Sequence, residues 1–136
     1  MAFDLNFEQA QDILDQGMSS AQELLGDPSK VGGLLEQIPG MLKNLPANVG
    51  EQLFRAPEMV DMVKSYITKE YTEISPKVII SIVSAFMYFV SKNDLISDNV
   101  PILGLLDDIA VVALAMKLSE PELDAFKAWK EGRVAE

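Results

Sequence analysis

Cysteine and histidine are both absent from this 136-residue chain. Their absence excludes a disulfide framework, a thiolate nucleophile, structural zinc and every histidine-based triad. Any metal site has to be built from oxygen ligands, which selects magnesium, calcium or manganese. A chain without cysteine also suits a reducing cytoplasm. Positive charge is scarce: 11 Lys and Arg stand against 21 Asp and Glu, for a net charge of -10. Phosphate neutralisation needs clustered Lys and Arg, so no nucleic-acid partner is expected. Electrostatic docking on anionic lipid is opposed for the same reason. Strand-period alternation, internal repeats, a glycine-rich phosphate loop and an arginine cluster are missing too. The opening MAFDLNFEQAQD is acidic and has no basic stretch followed by an apolar one, so it does not read as a secretory signal.

What remains is apolar and helical. Apolar residues make up 49% of the chain, and a chain this long buries roughly two-thirds of its unfolded surface in one domain, read here as 1–136. Over residues 6–25, Phe7, Ala10, Leu14, Met18, Ala21 and Leu25 recur at helical spacing. Gly17 and Ser19-Ser20 are expected to divide that helix, with Ser20 and Glu23 as a capping box for the second piece. Asp27-Pro28 and Ser75-Pro76 each predict an N-cap followed by a first-turn proline. Pro39-Gly40 is expected to kink or split the helix carrying Val31, Leu34, Leu35 and Ile38. A connector over 46–56, with a turn near Glu51 to Phe54, leads to a helix over about 57–71. Ser119-Glu120-Pro121-Glu122 reads as a capping box opening the last helix, whose Phe126 and Trp129, with Lys130, pin it to the rest.

Two apolar runs dominate, about 78–91 and 100–118, separated by a polar turn over 91–99. Val78 to Val90 spans roughly 20 Å at 1.5 Å per residue, short of the ~30 Å hydrocarbon core. The second run is long enough, but Asp107 and Asp108 near its centre cost about 2.5–3.5 kcal/mol each on insertion. The expectation is therefore an all-α fold. It is a compact helical bundle with a central apolar hairpin in segment 75–118, wrapped by amphipathic N-terminal helices over 6–71 and a C-terminal helix over 119–133. Met41, Met59, Met62, Met87 and Met116 are read as core filler. Lys64, Tyr66, Lys69 and Tyr71 are read as a solvated face.

The segment from Tyr88 to Asp108, YFVSKNDLISDNVPILGLLDD, resembles the signature of the YkvA-like family, a bacterial domain of unknown function. Tyr88, Ser91, Asp94, Leu95, Ile96, Asp98, Pro101, Gly104, Asp107 and Asp108 stand at the signature's spacing. The segments GDPSKVGGLLEQ, KSYITKEYTEISP and DAFKAWKEGR are similar to further parts of such proteins, so the likeness runs nearly end to end. Lys92 and Ser97 stand where the family has proline, and Asn93 where it has an apolar residue. The resemblance implies a compact helical domain and no activity.

The chemically loaded residues are Asp94, Asp98, Asp107 and Asp108. One reading makes Asp94 and Asp98 N-caps, and Asp107 or Asp108 a half-buried acid satisfied by a tyrosine hydroxyl, backbone N–H groups or a lysine such as Lys64. The other makes the four a magnesium or calcium site at the hairpin tip, since carboxylates without histidine favour hard cations. No catalytic residue is assigned. The functional expectation is a non-enzymatic interaction or scaffold domain in the cytoplasm, acting through an unidentified protein partner or a membrane surface. A carboxylate-based cation sensor or weak hydrolase is the alternative.

Overall fold

The computed structural model describes residues 7–43, 53–95 and 106–135. Along the chain these form α1 (Phe7–Leu25), α2 (Pro28–Lys43), α3 (Ala56–Ile67), α4 (Pro76–Leu95), α5 (Leu106–Leu118) and α6 (Glu120–Ala135). No strand occurs among the described residues. The fold is an all-α bundle, as the composition and periodicity predict.

The apolar hairpin is its centre. On α4, Ser81 to Phe86 are all buried without a break, and on α5 the same holds for Ile109 to Ala113. A helix buried over consecutive residues is covered on every face, and only neighbouring helices supply that cover. α1 packs mainly on α4 and also on α5, α2 and α3 lie against α4, and α6 docks on α3 and α5. Phe86 and Phe89, at 0% and 1% exposure, fill the middle. Full burial of such side chains is worth about 1.5–3 kcal/mol each. Met59 and Met62 are fully buried, Met116 nearly so, and Met41 and Met87 pack partly against the core. The methionines are core filler.

α1 runs unbroken through Gly17 and Ser19-Ser20, contrary to the expected division. The glycine serves packing instead. A Cβ built at Gly17 would lie 2.4 Å from the Ser84 Oγ and 3.6 Å from the Ser84 Cβ. The Ser84 hydroxyl lies there because it donates to the Leu14 carbonyl at 2.8 Å. A buried hydroxyl in an apolar hairpin needs an acceptor, and α1 supplies one by coming this close.

α2 begins at Pro28, where Lys30 and Val31 donate to the Asp27 carbonyl at 3.0 and 3.2 Å. α4 begins in the same way at Pro76, with Val78 and Ile79 donating to the Ser75 carbonyl. Both prolines stand where a missing N–H costs nothing. Pro39 and Gly40 do not split α2. Only the ladder bond to the Leu35 carbonyl is lost, while buried Leu34, Leu35 and Ile38 before the proline and partly buried Met41 and Leu42 beyond it hold the segment on the core. The turn expected near Glu51 to Phe54 falls largely outside the described residues.

α3 stops at Ile67, four residues before the expected end at Tyr71. Lys69 takes φ 67°, and the backbone closes with Glu70 donating to the Ser65 carbonyl and Lys69 to that of Tyr66. That pair of bonds is a Schellman stop, which favours glycine at the left-handed position. α4 in turn continues to Leu95, through residues assigned from sequence to the polar turn. Lys92 keeps the N–H that a proline there would lack, so the helix has no obligatory stop.

The α5–α6 junction also departs from expectation. The Ser119 hydroxyl does not cap α6 but donates backward to the Ala115 carbonyl at 2.6 Å, with Ser119 fully buried. Such back-bonding bends helices, and Pro121 prevents a straight continuation.

Two stability outcomes follow from these contacts. Lys69→Gly relieves the left-handed strain and should raise unfolding free energy by about 1 kcal/mol in urea titration. Gly17→Ala should destabilise the native chain by on the order of 1 kcal/mol, because it drives the Ser84 hydroxyl off its acceptor. In a Ser84→Ala background the same change meets only a methyl at ordinary contact distance. It should then be stabilising by up to about 1 kcal/mol from helix propensity, and the double-mutant cycle reads the reversal of sign.

Candidate functional site

The four aspartates expected to converge at the hairpin tip meet the edge of the described residues. Asp94 is on the helical backbone of α4, and Asp107 and Asp108 on that of α5, with their side chains outside the described residues. Asp98 and the turn around it lie outside altogether, as do Pro101 and Gly104. Among the described residues, no group of three carboxylates is arranged to hold a cation. Lys64, named from sequence as a partner for Asp107 or Asp108, is exposed on α3.

The richest polar chemistry among the described residues lies along the seam between α3 and α6. In α3, Met59, Met62 and Val63 turn into the core, which sets Glu58 and Asp61 at its margin. In α6, Leu123 and Phe126 point inward three residues apart, leaving Asp124, Lys127 and Lys130 along the outer side. Arg55, just before α3, ties the two together. Its Nε donates to the Glu58 Oε2 at 2.6 Å, and its Nη1 pairs with the Asp124 Oδ1 at 3.0 Å. The hydrogen bond to Glu58 chiefly, and that to Asp124 after it, raise the guanidinium pKa against the opposing effect of burial. Further along, Lys130 pairs with Asp61 and lies 5.8 Å from the Phe126 ring centroid. Asp124 is 71% exposed and Lys130 52%, so each pair adds at most about 1 kcal/mol.

Aromatic packing fastens the inner side of the seam. Tyr71 sits 5.3 Å from Phe126 and 4.7 Å from Trp129, and those two rings stack at 5.8 Å. The Schellman stop after α3 delivers Tyr71 to this place. Phe126 and Trp129 pin α6 as expected from sequence. Tyr71 does not belong to a solvated face, because it is buried. Its hydroxyl pKa is raised, by burial first and then by the carboxylates of Glu73 and Glu122. Arg55, Asp61 and Asp124 were not legible as site residues: Lys130 and Asp61 are 69 positions apart, and no local pattern links them.

Two open grooves follow the seam. One, of about 440 Å³, is lined by Glu58, Asp61, Phe126, Lys127, Lys130 and Glu131. The other, of about 580 Å³, is lined by Phe54, Arg55, Glu58, Glu120, Asp124 and Lys127. They share Glu58 and Lys127. Phe54 stands 72% exposed at the second groove, although its neighbour Leu53 is buried. Both grooves are lined mainly by charged side chains, with exposed Phe54 the apolar group at the second and nearly buried Phe126 the one at the first.

The family comparison bears on the hairpin. Residues 78–114 match the family described as protein of unknown function (DUF1232). The uncharacterized membrane protein YkvA of Bacillus subtilis (strain 168) is 29% identical over 69 residues, which cover 51% of this chain and 65% of that relative. The chain thus spans just under two-thirds of the relative's length, and the match carries the likeness read from sequence over about half of the chain. No solved structure matches. Among the described residues, no helix is long and apolar enough to cross a membrane.

The raised Tyr71 pKa fixes the sign of a pH effect. Above pH 10 the unfolded chain releases the Tyr71 proton while the folded chain retains it, so the free energy of unfolding falls as pH rises. The stabilising contribution is complete below pH 10 and is lost as pH climbs through the folded-state value. Thermal melts from pH 9 upward should fall more steeply for the native chain than for Tyr71→Phe, with the two slopes converging below about pH 10.

Proposed function

We propose that the chain, which is similar to the DUF1232 family over its hairpin, is a non-enzymatic interaction or scaffold domain acting through protein or membrane-surface contacts. The observation that carries this reading is the placement of its exposed apolar side chains. Among the described residues, the large hydrophobics left to solvent are Phe54 at 72% and Leu118 at 48%. Phe54 shares a groove wall with Glu120, and Leu118 lies two residues before Glu120, so both belong to the end where α3 starts and α5 meets α6. Folding gains little from a large aromatic left in water, and exposed Phe54 lining a groove supports a docking surface there. The Bacillus relative's description as a membrane protein gives the membrane surface equal standing with a protein partner.

Light scattering after size exclusion, together with flotation on neutral and anionic vesicles, tests the reading. Self-association or vesicle binding is expected, weakened severalfold by Phe54→Ser with Leu118→Ser while helix content stays unchanged. A monodisperse monomer that binds neither kind of vesicle nor a basic or acidic amphipathic peptide overturns it.

A further inference from the structure

We propose that the α3–α6 seam docks a basic amphipathic helix of a partner protein, with Phe54 as the apolar anchor and the acidic edge of the grooves as the charge complement. The proposal rests on the interaction reading above and names the surface and the partner's chemistry. Across the two grooves, five carboxylates (Glu58, Asp61, Glu120, Asp124 and Glu131) face three cations, Arg55, Lys127 and Lys130. Arg55 and Lys130 are already engaged, by Glu58 and Asp124 and by Asp61, while Lys127, common to both grooves, forms no ion pair among the described residues. Glu120 and Glu131 form no ion pair among the described residues, and they lie toward opposite ends of the seam, one in each groove.

The shape and the field select the same occupant. A trough between two helices, with exposed Phe54 at its mouth and Phe126 almost buried in its lining, offers a helix one apolar anchor point between charged edges. Acidic groups at both ends favour lysine or arginine flanking that stripe and raise the rate of encounter with a cationic partner. The same field repels an anionic membrane. A second copy of this chain is disfavoured too, because each copy carries a net charge of -10.

The probe is a labelled synthetic peptide with leucine at i, i+3, i+4 and i+7 and lysine elsewhere. Binding is read by anisotropy, and place of binding by the fluorescence of Trp129, the single tryptophan, which stacks on Phe126 at the seam. The native chain should bind this peptide and not its glutamate counterpart, with a shift in Trp129 emission. Phe54→Ser should raise Kd about tenfold, as loss of an aromatic anchor does. Glu131→Lys should weaken binding more than Glu36→Lys, an equal charge change at an exposed position on α2. Equal effects of the two reversals, with Phe54→Ser neutral, would mean that the acidity of the whole chain holds the peptide, and the proposal fails. Tighter binding to anionic vesicles than to the peptide overturns it as well. If the seam variants are silent while self-association or vesicle flotation persists, the docking assignment falls and the interaction reading stands. Circular dichroism of each variant separates these outcomes from unfolding.

Discussion

The structure depends on burying two helices that are apolar around their whole circumference. Consecutive residues of α4 and α5 are buried without a polar face to leave in water. In a chain of 136 residues, a hairpin of that kind consumes the apolar surface of everything else. α1 gives it Ala10, Leu14 and Ala21, α2 gives Val31, Leu34, Leu35 and Ile38, and α3 gives Met59, Met62 and Val63. Each covering helix is amphipathic because its other side is the molecule's surface. Among the described residues of these covering helices, the carboxylates stand exposed or half-buried on that outer side.

A dry hairpin has to satisfy the few polar atoms it contains. Ser81 donates to the Lys77 carbonyl at 2.9 Å and Ser119 to the Ala115 carbonyl at 2.6 Å, both within their own stretch of chain. Ser81 also reaches the Met18 Sδ of α1 at 3.8 Å, but it is Ser84 that donates to backbone on that helix, at the Leu14 carbonyl. That bond converts a general apolar contact into a specific one, because α1 satisfies it only at one rotation and one depth. Gly17 is the condition for that depth. The pair therefore fixes the register of the most extensive helix–helix contact among the described residues, a role that sequence spacing alone does not disclose.

Helix identity was legible wherever a periodic apolar stripe met a proline start, as at Pro28 and Pro76. The core residues followed from the same stripes, and the fastening of α6 from Phe126 and Trp129. The errors fell where a local signal met a tertiary contact. Gly17 signals a helix break in isolation, yet it is a contact point once Ser84 is opposite. Pro39 signals a split, yet apolar anchors on both sides outweigh a single lost ladder bond. Ser119 has the spacing of a cap, but burial turns its hydroxyl toward Ala115. The early stop of α3 was hidden because Lys69 is a poor residue for a left-handed turn, and nothing local predicts it. As for the site, the aspartates were conspicuous by composition, whereas the seam is assembled by pairs such as Lys130 with Asp61 that only the fold brings together.

The attachment of α6 differs in kind from that of the other helices. Its inward residues are few, and much of its hold comes from Tyr71, Phe126 and Trp129 packing on one another, with Arg55 and Lys130 bridging to either side. Solvent-exposed ion pairs of this sort add little stability. What they contribute is geometry: two bridges to α3, at Asp124 and Lys130, define the angle and spacing of the trough between the helices. Covering the hairpin requires no such trough, since α1, α2 and α3 already close α4. It also does not require Phe54 to face outward beside buried Leu53. Those two features are unneeded for burial, and they are set at one seam by charge pairs that contribute orientation more than energy.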